Sequence, residues 1–243
     1  MKEYSELALE SAEAAGRAQE IREKRLSSHL RLLRFDVAAE EGGGRFLTLL
    51  TEENLLEGNV ERELCDGVAE CLRSLIKKRK GKVLAVGLGN PDAVVDALGA
   101  ETVKRLSAGQ RGGGYLATLT PSVFGLTGME TASVVKGVVR EYSPDLVLCV
   151  DTLATRRAER LSRAVQIGRG GIVPGGGVGN RREALSEQSL TVPVITVGVP
   201  LLAHADRCSS LPAGLVVTPK EIDLFVPAFS RVIAEGVERA LFE

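Results

Sequence analysis

Three apolar runs constrain this chain more than anything else in it: Val83–Val86, Leu146–Val150 and Val192–Val197. None alternates with polar residues as a half-exposed strand would, so each reads as a strand covered on both faces. Between them lie segments of helical apolar spacing, and strands that alternate with helices argue for parallel pairing through crossover connections. The spacing predicts strands at 82–88, 115–119, 146–150 and 192–198, with helices over 92–107 and 129–142. A helical or loop segment is expected over 153–164. Leu215-Val-Val217 precedes Thr218 and Pro219, a cap and first-turn pair that should start the last helix. The expected fold is α/β, a mostly parallel twisted sheet with helices on both faces.

The first third reads differently. Residues 6–26 are rich in Ala, Glu and Arg and predict one mostly polar helix. Arg31–Val37 and Arg45–Leu50, joined by Glu41-Gly-Gly-Gly44, predict a hairpin. Together they form a small N-terminal hairpin and helix extension. Residues 61–78 carry helical spacing that ends in cations and Gly81, as a helix C-terminus favours.

Composition limits function. A net charge of −1 gives no pull toward nucleic acid or anionic membrane, and 4% aromatics with no Trp leaves no stacking platform for single strands. The charged N-terminus lacks a signal-peptide core, and no apolar run reaches the roughly 20 residues needed to span a bilayer. A cytoplasmic protein without a membrane partner is expected. Cys65, Cys71, Cys149 and Cys208 form no metal or disulfide pattern and read as reduced structural thiols. His29 and His204 are too few for a zinc site, and no metal or cofactor is expected.

Two acids stand out. Asp96 follows the strand at 82–88, and Asp151 directly follows five apolar residues. Open α/β sheets place their chemistry at the carboxyl ends of strands. Two carboxylates meeting there can share a proton and activate water. A carboxylate so placed is costly unless it is solvated, hydrogen-bonded or catalytic, and capping the next turn is the plain alternative. Gly87-Leu-Gly89 opens like a dinucleotide fingerprint, but Asp92 stands where the third glycine belongs and would repel a pyrophosphate. The stretch Gly168–Asn180 is glycine-rich enough to admit a ligand backbone or offer amides to an oxyanion, unless it is simply a set of turns.

Several blocks in order over 82–223 resemble the germination protease family of spore-forming bacteria. They are Val86-Gly-Leu-Gly-Asn90 with Asp96-Ala-Leu-Gly99, Pro121–Thr131, Pro144-Asp145 through Asp151-Thr-Leu-Ala154, Pro174–Arg181, Pro193–Pro200 and Val217–Asp223. The resemblance implies a fold similar to hydrogenase maturation proteases, a tetramer, and an aspartic-type endopeptidase whose essential acids are Asp96 and Asp151. Its substrates would be small acid-soluble spore proteins and its location the cytoplasm of the forespore or spore core. It further implies a self-processing zymogen. Ser5-Glu-Leu-Ala-Leu-Glu10 looks like the processing site, so Glu6–Leu7 is the expected autocleavage bond, residues 1–6 a propeptide, and 7–243 a single protease domain. The chain is shorter than usual for the family, and His204 stands where an acid is expected.

On this reading one aspartate accepts a proton from water while the other protonates the substrate carbonyl or the leaving amine. Gly175, Gly176, Gly177, Asn180 and Arg181 are candidates for holding substrate. Arg156, Arg157, Arg181 or Arg182 could meet an acidic residue before the cut. Two rival readings are a metal-dependent maturation-type peptidase and a noncatalytic module binding peptides or small molecules through the glycine-rich loop.

Overall fold

The computed structural model describes residues 6–37, 44–57, 60–77, 81–175, 183–205 and 215–243. A ten-stranded sheet runs through it. In chain order the strands are β1 (Arg22–Arg25), β2 (Leu30–Val37), β3 (Gly44–Thr51), β4 (Lys82–Gly87), β5 (Gly109–Arg111), β6 (Gly114–Leu119), β7 (Leu146–Thr155), β8 (Ala164–Gly168), β9 (Val194–His204) and β10 (Val216–Val217). Their spatial order is β1-β2-β3-β8-β9-β7-β4-β6-β5, with β10 against β9. The described helices are α1 (Ala8–Ala14), α2 (Glu61–Leu75), α3 (Leu98–Arg105), α4 (Phe124–Thr127), α5 (Thr131–Tyr142), α6 (Glu187–Leu190) and α7 (Ile222–Phe242).

The α/β class holds, but the sheet is mixed rather than mostly parallel. Parallel pairing is confined to the centre, where β6, β4, β7 and β9 lie side by side. On either flank the pairs are antiparallel. The connections between strands set the directions. A parallel neighbour needs a crossover, which α3 and α5 supply; β3–β8 and β8–β9 are antiparallel pairs of strands distant in the chain, whereas short turns close β1–β2, β2–β3 and β5–β6. The hairpin is one such pair: Leu30–Val37 runs in full register against Thr51–Gly44.

Alternate residues of the central strands feed two cores. Val83, Ala85, Leu148, Val150, Val165, Ile167 and Val197 pack with α2, α3 and α7, while Leu84, Val86, Val147, Cys149 and Val194 pack with α5. Helices therefore cover both faces. Cys65, Cys71 and Cys149 are free and buried, and Cys208 lies outside the described residues.

Four local expectations are corrected. The single helix over 6–26 is α1 alone, followed by a 3₁₀ turn and β1. Gly16, at φ +73°, ends α1 in the left-handed conformation, and the Arg17 N–H donates back to Ala12 O at 2.8 Å. The helix over 92–107 begins only at Leu98, after a 3₁₀ turn at Val94–Asp96. The segment 153–164 opens with the end of β7 before a 3₁₀ turn at Ala158–Arg160 and loop, and β8 follows at Ala164–Gly168. The last helix starts at Ile222, three residues after Pro219.

Candidate active site

Asp151 lies inside β7 rather than beyond its end, because β9 continues to pair with β7 through Thr155. The neighbour on the other side is shorter: β4 pairs with β7 only as far as Val150. Asp151 is therefore the first residue of β7 past the carboxyl end of β4, and that edge of the strand is open to other partners. Asp96 fills part of the opening. Its 3₁₀ turn is tied to β7 by the Thr152 hydroxyl, which donates to Val95 O at 3.0 Å. The Asn90 N–H donates to Asp96 Oδ2 at 2.7 Å. Gly89, at φ +92°, makes this approach feasible, since a Cβ there would sit 2.1 Å from the Asp96 carbonyl oxygen.

The Asp151 carboxyl feels the charge of Asp96. Asp151 is 3% exposed, and its carboxyl is held well above the usual carboxylate range. Burial is the largest cause, followed by the negative charges of Glu6 and Asp96, against a lowering contribution from the Thr152 N–H on Asp151 Oδ1 at 2.9 Å. Burial also raises Asp96, offset in part by the Asn90 N–H. The structure thus brings together the two aspartates that their positions had singled out.

The remaining open edge of β7 is met by the N-terminal segment. Glu6 N–H donates to Ala154 O at 3.2 Å, and the Glu6 carboxylate accepts from Ala154 N–H at 2.8 Å. Leu7, next to it, is fully buried. The Glu6 carbonyl accepts from Gln166 Nε2 at 3.1 Å, and Gln166 Oε1 accepts from Ala8 N–H at 2.7 Å. Glu6 and Leu7, expected as the autocleavage pair, therefore lie against the strand that carries Asp151.

Arginines hold the segment further on. The Glu10 side chain is 2% exposed and accepts the Arg156 N–H at 2.8 Å, with Arg160 Nη1 at 3.4 Å and Arg156 Nε at 3.8 Å. Arg160 also grips Glu13 with both Nη atoms, at 3.1 and 2.6 Å, and Arg157 meets Glu13 at 2.9 Å. Arg156 and Arg157, expected to meet an acid before the cleaved bond, meet Glu10 and Glu13 instead. Arg160 and Gln166 escaped the sequence reading, since an isolated Arg or a strand Gln carries no signal of its own. Gly175 is exposed in a turn at φ +69°. Gly176, Gly177, Asn180, Arg181 and Arg182 lie outside the described residues. Among the described residues no three His, Cys, Asp or Glu side chains cluster as metal ligands would. No described helix is long and apolar enough to cross a membrane.

Comparison with known proteins decides the family. The germination protease family model matches residues 38–211. The chain belongs to the germination protease family. Its relatives include the germination proteases of Clostridium perfringens, 31% identical with 90% of this chain and 86% of the relative aligned, and of Caldanaerobacter subterraneus subsp. tengcongensis, 34% identical over 82% and 78%. That of Clostridium tetani is 31% identical over the same shares. The alignment to the C. perfringens protein spans 281 positions, more than this chain's 243 residues, so the relative carries insertions. Membership makes the chain a peptidase of spore germination.

Proposed function

We propose that this chain is an aspartic-type endopeptidase that begins the breakdown of small acid-soluble spore proteins, and that it is made as a zymogen which cuts its own Glu6–Leu7 bond. The observation that carries this reading is Glu6 bonded to the open edge of β7 at Ala154, its carbonyl held by Gln166, beside Asp151, whose proton affinity is raised by burial and by the charges of Glu6 and Asp96. A peptide held against a strand edge by its backbone is a common mode of substrate binding.

In the proposed reaction, water attacks the Glu6 carbonyl carbon and passes one proton to whichever of Asp96 and Asp151 is ionised. The protonated partner stabilises the carbonyl oxygen or hands its proton to the Leu7 nitrogen as the C–N bond breaks. No covalent enzyme intermediate forms. Carboxyls acting together in this way share their protons, so the roles are assigned to the pair and not to either residue. In spore proteins, an acidic residue before the cut and a second acid four residues after it would take the places of Glu6 and Glu10, the latter met by Arg156 and Arg160. By family resemblance the working form is a tetramer in the spore core.

The test is intact-mass spectrometry of the purified chain after mild acid incubation, with Asp96→Asn and Asp151→Asn alongside. Loss of residues 1–6 in the wild type alone is the expected result. Equal loss in either Asn variant refutes the carboxylate pair.

A further inference from the structure

Strand register places Gln166 in one row with Asp151. Gln166 on β8 pairs with Gly198 on β9, and Gly198 pairs with Asp151 on β7. Paired residues point to the same face of a sheet, so the Gln166 and Asp151 side chains flank a position that has none. Gly198 keeps it so. A Cβ there would lie 2.5 Å from Leu153 Cγ and 2.6 Å from Cδ1.

Gln166 is 6% exposed, and both ends of its amide are used. Its Nε2 donates to the Glu6 carbonyl at 3.1 Å and its Oε1 accepts from Ala8 N–H at 2.7 Å. The orientation of the amide follows from its partners, since a carbonyl can only accept and a backbone N–H can only donate. The two contacts straddle the Glu6–Leu7 bond. If Gln166 merely satisfied the first orphan N–H of α1, only the Oε1 contact would be needed. The Nε2 contact reaches outside the helix, to the oxygen on which negative charge would develop as water attacks.

We propose that Gln166 is a catalytic residue of this protease. It fixes the scissile bond by gripping the carbonyl before it and the amide beyond it, and its Nε2 supplies a hydrogen bond to the developing oxyanion. The inference rests on cleavage at Glu6–Leu7 as set out above. A donor of this kind strengthens as charge builds up, so it acts chiefly on kcat. A cleaved N-terminal peptide would release the Nε2 contact, leaving Gln166 to take the corresponding carbonyl of the next substrate.

The experiment follows processing of the full chain by intact mass in the wild type, Asp151→Asn, Gln166→Ala and the near-isosteric Gln166→Met. Hydrogen exchange over residues 7–16 is read on the same samples. The expected result is a processing rate lower by about 100-fold or more in both Gln166 variants. The pH dependence should keep its midpoints, because Gln does not titrate, and α1 should stay protected. Wild-type processing blocked by Asp151→Asn but unchanged in both Gln166 variants would overturn this inference alone. Slow processing that tracks lost α1 protection in both variants would also overturn it, reducing Gln166 to a helix cap. A wild type that never cuts after Glu6 would overturn the underlying reading and this one with it.

Discussion

Removing Arg160 should undock the N-terminal segment without unfolding the protein. Helix α1 has seven residues, too few to persist alone in water, so its amides are protected only while it stays docked. Docking rests on the buried side chains of Leu7, Leu9 and Ala12, and on Arg160, whose 10% exposed side chain bridges Glu13 at 2.6 Å and Glu10 at 3.4 Å. Deleting one partner of a buried ion pair costs roughly 3–5 kcal/mol. Glu10 keeps Arg156 and Glu13 keeps Arg157, so the low end applies. A cost of about 3 kcal/mol corresponds to roughly a 100-fold larger open fraction. Native-state hydrogen exchange of Arg160→Ala should therefore show protection over residues 7–16 falling about 100-fold, with α2 and α7 unchanged. Arg157→Ala is the control. Its side chain is 48% exposed, and an exposed pair is worth at most about 1 kcal/mol, or about fivefold. Equal effects of the two variants, or an Arg160 effect under fivefold, would refute the argument that burial makes Arg160 the clasp.

Two further outcomes follow from the same geometry. Asp151→Asn should raise stability at neutral pH. The folded carboxyl titrates well above its unfolded value of about 3.9, so between the two values the native state binds more protons than the unfolded chain. Wild-type stability is thus helped fully below about pH 4 and loses that help as pH rises through the folded value. Urea titrations from pH 4 to 8 should show the Asn variant gaining on the wild type as pH rises, and parallel curves would contradict the assignment. Gly198→Ala should clash with Leu153 and lower the melting temperature by about 2–12 °C, from an overpacking cost of roughly 1–3 kcal/mol in a chain of this size. It should also slow processing, because Leu153 adjoins the Ala154 backbone that receives Glu6; an unshifted melting curve would count against the tight row between Gln166 and Asp151.

The sequence by itself determined the central strands, the hairpin β2–β3, the helix α5 and the two aspartates. Continuous aliphatic runs and period-two alternation are local signals of burial, and a buried carboxylate after five apolar residues declares itself by its cost. Tertiary structure decided everything that depends on which strands become neighbours. Val150 and Thr155 belong to one strand because β9 pairs with both, while β4 stops at Gly87; no local pattern encodes that difference in length. The mixed sheet has the same origin, since pairing direction follows from connections rather than from residue types. Gln166 reads as an ordinary strand polar residue until Gly198 is set between it and Asp151. The acidic, alanine-rich N-terminus reads as a long surface helix. Gly16 breaks it locally, and only contacts more than 140 residues distant, from Gln166, Ala154 and Arg160, seat Glu6 and Leu7 beside the strand that carries Asp151. Propensity acts over a few residues, whereas a site is assembled across the whole sheet.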